Sequence, residues 1–284
     1  MPTFRAADGT ELAYHVRGAG PPLVCVPGGP MRASAYLGDL GGLAAGRQLI
    51  LLDLRGTGQS ATPADPASYR CDRLSDDVAA LGDHLGLASY DLLGHSAGGN
   101  IAIQHAGRHP HRIGKLALIT PSARTTGLDP SPESRRQILG LRQAEPWFPA
   151  AAAAFERIVA GRATDDDWGA MDPLFYGRWD AAARAHCDAG GTETNEHAAG
   201  AFAAEVAFDP DAARAGLAAF GRPVLVLAGQ MDMQWPPTVL SELTGFFPAA
   251  RFVVQPGAGH YPWLDDPDWF AATVSGFLSG EPNH

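Results

Sequence analysis

Short apolar runs bounded by glycine, proline and polar residues recur over the first 120 positions and return after position 222, with amphipathic stretches between them. Residues 3–6 and 11–16 flank Asp8-Gly9, a tight-turn pair, and predict an amino-terminal β-hairpin. Residues 23–26, 48–53, 90–93 and 115–119 are apolar almost throughout, as strands buried on both faces are. Residues 34–45 and 101–108 read as helices, and residues 74–85 more clearly so, with Leu74, Val78, Leu81 and Leu85 on one face. Strands alternating with helices at this spacing predict a parallel sheet covered on both sides.

The pattern changes after Pro121. From 122 to 220 no buried strand is evident, while residues 135–143, 150–159 and 198–206 are alanine-rich or amphipathic. Residues 223–228 and 251–254 then restore strands, and residues 238–247 and 269–278 helices. The expected organisation is one α/β domain formed by 1–121 and 221–284, with 122–220 inserted as a helical cap. At 284 residues the chain is long enough for that single large core.

Composition narrows the partners rather than the fold. A formal net charge of -10 disfavours nucleic acid, whose phosphates need a basic face. Cys25, Cys71 and Cys187 are far apart, without metal or redox spacing, and are expected as reduced thiols. Neither a signal-peptide pattern nor an apolar run of membrane-spanning length is present, so the expected location is cytoplasmic, with no membrane partner.

The chemistry is concentrated in residues 91–100. Gly94-His95-Ser96-Ala97-Gly98 fits G-x-S-x-G between a predicted strand and a predicted helix, the setting of a nucleophile elbow. A serine hydroxyl needs a histidine to take its proton and a carboxylate to orient that histidine. Asp232 follows the strand at 223–228, and His260 follows the strand at 251–254 through Gly257-Ala258-Gly259. The order Ser96, Asp232, His260 is that of a hydrolase triad. Asp265 and Asp266 are the rival carboxylates, and read better as caps of the last helix. An oxyanion formed on Ser96 attack needs fixed donors. The Ala97 N–H is one, and the loop Pro27-Gly28-Gly29-Pro30 offers Gly28 and Gly29.

Together with Asp53-Leu-Arg-Gly-Thr-Gly-Gln-Ser60, these segments resemble the α/β-hydrolase superfamily, most closely its proline iminopeptidase group. The resemblance covers nearly the whole chain outside the cap. It implies Gly29 as the loop donor, with Gly28 beside the substrate, and a cap glutamate holding a free α-ammonium. The matching position is Glu196 in Thr194-Asn195-Glu196-His197, with Glu193 and Glu205 nearby. Pro27 and Met31 depart from that group's His-Gly-Gly-Pro-Gly loop, and Ala97 stands where an aromatic is frequent.

The expectation is therefore a serine hydrolase without cofactor or metal, releasing an amino-terminal residue or aminoacyl group from a short peptide or small metabolite. The alternatives are an esterase, lactonase or thioesterase acting on a neutral small molecule, and a non-catalytic binding protein with the same fold.

Overall fold

The computed structural model describes residues 1–280, except the side chain of Glu205. All eight expected strands form: β1 (Thr3–Arg5), β2 (Glu11–Arg17), β3 (Pro22–Val26), β4 (Gln48–Leu52), β5 (Tyr90–His95), β6 (Ile113–Ile119), β7 (Val224–Gly229) and β8 (Ala250–Gln255). They make one sheet in the order β1-β2-β4-β3-β5-β6-β7-β8, antiparallel where β2 meets β1 and β4, and parallel elsewhere. The chain moves outward from β3 to β4 and returns to the other side of β3 as β5. That reversal leaves a crevice beyond the carboxyl ends of β3 and β5.

Strand periodicity divides the core. Val24 and Val26 face one side with Ile50, Leu52 and Leu92, and Leu23 and Cys25 face the other with Leu49, Leu51 and Leu93. Helices α1 (Cys71–His84) and α2 (Gly98–Arg108) cover the first side, where Leu74, Val78 and Leu81 are fully buried, on the face their spacing indicates.

Six helices lie between β6 and β7: α3 (Pro132–Gly140), α4 (Phe148–Val159), α5 (Asp165–Met171), α6 (Ala181–Glu193), α7 (Glu196–Phe202) and α8 (Pro210–Ala218). Of these, α8 packs on α2, where a Cβ on Gly216 would come within 2.9 Å of the Gly107 Cα. The chain closes with α9 (Pro237–Thr244), α10 (Pro262–Asp265) and α11 (Pro267–Ser279). The last of these buries Phe270, Val274 and Leu278 on the second side of the sheet.

The helix expected at 34–45 does not form. Two single 3₁₀ turns, Ser34–Leu37 and Leu43–Ala45, replace it. Gly38, Gly41 and Gly42 all adopt positive φ, which interrupts a right-handed helix each time.

The loop after β4 is built around two buried charges. Asp53 accepts the Ser34 backbone N–H and hydroxyl on Oδ1, and the Gln59 N–H on Oδ2. Arg55 donates to both oxygens of Asp77 on α1 and to Asp8. Gly58 is required here, because a Cβ at its φ of 53° would collide with the Asp53 carboxylate. Asp-x-Arg-Gly-x-Gly therefore fastens the loop beside the site rather than entering it.

The helical segment is fastened to the same edge. Arg32 donates from Nε to Glu193 and from Nη2 to the His186 carbonyl. The Asn195 N–H reaches the Met31 carbonyl, and its side chain the Gly56 carbonyl. Among the described residues, no helix is long and apolar enough to cross a membrane, and no group of three His, Cys, Asp or Glu side chains is placed to hold a metal ion.

Candidate active site

Ser96 sits at the end of β5 with φ at 50°, a conformation strained for any residue with a Cβ. The turn survives because its surroundings fix it: the Ser96 N–H donates to the Ile119 carbonyl, and the Ser96 carbonyl accepts from Gly99 and Ser122. Both glycines of the motif are sterically required. A Cβ on Gly94 would lie 2.8 Å from the Ala102 Cβ, and one on Gly98 would press into the Val26 and Pro27 carbonyls.

Asp232 and His260 converge on this serine from the loops after β7 and β8. His260 Nδ1 lies 2.8 Å from Asp232 Oδ2, and His260 Nε2 lies 2.8 Å from Ser96 Oγ. Asp232 is fully buried, and its other oxygen accepts the Gln234 and Trp235 N–H groups. An ionised carboxylate only accepts, so Nδ1 carries the imidazole proton and Nε2 turns its lone pair to the serine hydroxyl. This order leaves Nε2 free to accept the Ser96 hydroxyl proton.

The two expected anion donors also meet. Gly29 and Ala97 line the cleft beside Ser96, and neither N–H has an acceptor among the described residues. Two unpaired N–H groups beside a nucleophile can receive charge that develops on a carbonyl oxygen. Gly28 has a different place. Its N–H donates to the Tyr36 hydroxyl at 2.7 Å, and its Cα packs so close to Ser96 that a Cβ would come within 2.7 Å of the serine Cβ.

Tyr36 begins a buried line of hydrogen bonds that sequence reasoning missed. Its hydroxyl is 2.6 Å from His95 Nδ1, and His95 Nε2 is 2.9 Å from the His260 carbonyl. A carbonyl only accepts, so Nε2 bears the proton, and the Tyr36 hydroxyl donates to Nδ1. Burial pushes the His95 pKa well below its usual value, in keeping with a neutral ring, and raises that of Tyr36. Thr120 Oγ1 donates to the same His260 carbonyl. Tyr36→Phe leaves the Gly28 N–H and His95 Nδ1 without partners. It is expected to cost about 1–3 kcal/mol in urea unfolding and about tenfold in kcat, with KM little changed.

Asp266 caps α11 through the Trp269 N–H, as expected. Asp265 is not a helix cap. It accepts the N–H groups of Gly177, Arg178 and Gly259, and so ties the helical segment to the His260 loop.

The cleft over Ser96 has a volume of about 180 Å³. Phe175, Phe202, Phe208, Trp235 and Tyr261 form apolar walls; Asn100, Ser122 and Gln234 add neutral polar groups. Its charged side chains are Arg124 and Arg135, and none of the described lining residues is a carboxylate. Of the glutamates expected to hold an ammonium, Glu196 and Glu193 are not brought here. Glu196 is exposed in the first turn of α7, Glu193 pairs with Arg32, and the Glu205 side chain lies outside the described residues. In Thr194-Asn195-Glu196 the structural work falls to Asn195, which caps α7 and holds Gly56.

The family model for the alpha/beta hydrolase fold matches residues 21–267, and the chain belongs to that family. The putative carbamate hydrolase RutD of Caulobacter sp. (strain K31) is 30% identical over 249 residues, 82% of this chain and 81% of that protein. The 2-hydroxymuconate semialdehyde hydrolase of Pseudomonas sp. (strain CF600) is 28% identical over 289 residues, 96% of this chain and 92% of that protein. A solved esterase from Thermogutta terrifontis superposes with a TM-score of 0.70 at 26% identity, covering 99% of each chain. The protein is an α/β-hydrolase enzyme. The narrower likeness to proline iminopeptidases does not reappear among these relatives.

Proposed function

We propose that the protein is a serine hydrolase of the esterase type, opening an ester, lactone or thioester of a small molecule through an acyl-enzyme, with residues 122–220 as the cap over the site. The observation that carries this reading is the buried line Asp232, His260, Ser96, ending at a cleft with two unpaired N–H groups and no carboxylate among its described lining residues.

In the forward step Ser96 Oγ attacks the carbonyl carbon as His260 Nε2 takes its proton. The carbonyl oxygen becomes an oxyanion, received by the Gly29 and Ala97 N–H groups. Collapse expels the alcohol or thiol, which takes the proton from Nε2. Water then attacks the acyl-serine by the same route, releasing the acid and restoring Ser96. Asp232 stays ionised throughout and stabilises the imidazolium.

The aminopeptidase reading requires an anion for the substrate's ammonium. An aromatic cleft whose described lining carries two arginines and no carboxylate instead repels a cation. Comparing 4-nitrophenyl esters with aminoacyl 4-nitroanilides tests the choice: the esters are expected to turn over with kcat/KM at least about a hundredfold higher. Preferred cleavage of the anilides would restore the aminopeptidase.

A further inference from the structure

The arginines of the helical segment are not equivalent. Arg136 on α3 donates twice to Glu156 and lies 3.7 Å from Glu133. Arg142 donates to the Tyr176 carbonyl and lies 3.6 Å from Glu145. Arg124, at the cleft, lies 3.4 Å from Asp129. The guanidinium of Arg135, between these on the first turns of α3, forms no hydrogen bond or ion pair with any described residue, although its Nε is fully shielded from solvent. It lines the cleft over Ser96.

Two carboxylates lie near enough to act on Arg135 through space, and both are engaged elsewhere. Asp129 is turned to Arg124, and the oxygens of Asp232 are taken by His260, Gln234 and Trp235. Burial holds the Arg135 pKa below its ordinary value, but a guanidinium starts so high that it remains charged. A half-buried cation without a partner among the described residues is costly, and a ligand anion is the group that relieves that cost. The walls around it are aromatic, and apart from Arg124 no other arginine, lysine or carboxylate is among the described lining residues.

We propose that Arg135 is the anchor for a carboxylate on the substrate, so that the preferred substrates are small esters or lactones bearing one negative charge away from the reacting carbonyl. This rests on the reading of Ser96 as nucleophile and adds the charge class of what reaches it. The guanidinium fork matches a carboxylate in two parallel hydrogen bonds, which fixes orientation as well as affinity. Arg124 raises the positive potential at the same wall while remaining tied to Asp129.

Two matched pairs of substrates locate the charge. The 4-nitrophenyl monoester of glutaric acid against 4-nitrophenyl pentanoate places it on the acyl group, and 4-acetoxybenzoate against phenyl acetate places it on the leaving group. The enzyme is expected to favour the charged member of one pair by about tenfold or more in kcat/KM. Arg135→Gln is expected to abolish that preference through a loss about tenfold larger on the charged member than on the neutral one, and Arg135→Lys to keep part of it. The neutral ester reports on folding in the same preparation. Equal rates on both members of both pairs, or an equal loss on charged and neutral esters in Arg135→Gln, overturns the proposal. A lack of turnover of every ester overturns the esterase reading instead. The anchor is then read by calorimetric titration with glutarate: binding that Arg135→Gln weakens by tenfold or more supports it, and absent or unchanged binding overturns it.

Discussion

Ser96→Ala is expected to lower kcat on a 4-nitrophenyl ester by a factor on the order of 10⁶, with KM little changed. In the proposed mechanism the hydroxyl forms the acyl bond, and it is the group to which His260 turns its free lone pair; the Ser122 hydroxyl in the same cleft is held by Asn100 instead. What survives is transition-state stabilisation by Gly29 and Ala97 together with substrate binding, worth roughly 10³–10⁴ over water. Because the residues act as one unit, Ser96→Ala combined with His260→Ala is expected to be scarcely slower than either alone. Steady-state rates on the single and double variants, with unfolding curves as the control for structure, check this. A loss below a hundredfold for Ser96→Ala would assign the chemistry to another group.

The largest effect on stability is expected away from the cleft. In Asp77→Ala the Arg55 guanidinium loses a bidentate partner while its side chain remains only 4% exposed, leaving Asp8 as its one counter-charge. Breaking one side of a buried ion pair costs about 3–5 kcal/mol, most of it the penalty of the uncompensated charge. Urea denaturation measures the loss, and the double replacement Arg55→Met with Asp77→Leu should recover much of it, since no buried charge then remains. A deficit under about 1 kcal/mol in Asp77→Ala would mean that water or Asp8 fully compensates Arg55.

The strands and the meeting of Ser96, Asp232 and His260 were legible because each depends on local signals: an apolar run, a glycine-bracketed turn, a side chain one loop beyond a strand. The helix expected at 34–45 failed because its alanines and leucines suggest a helix while Gly38, Gly41 and Gly42 adopt angles that no helix allows. Asp265 was legible as a carboxylate near a helix start, but its partners come from Gly177 and Arg178, nearly ninety positions away, and no local pattern announces them. The histidine at 95 was noticed and its task was not, since that depends on Tyr36 and the His260 carbonyl. The character of the cleft was hardest to read. Arg135 and Glu196 are equally conspicuous as letters, and only the packing of α3 and α7 decides that one lines the cleft over Ser96 and the other is exposed to solvent.

The backbone of His260 is held from the helical segment as well as from the sheet. Its N–H donates to the Phe175 carbonyl at 2.7 Å, and Asp265 joins Gly259 to Gly177 immediately beside it. His260 is thus registered against the roof of the cleft, and lifting that edge of the roof would unseat the imidazole from the place where it meets Ser96.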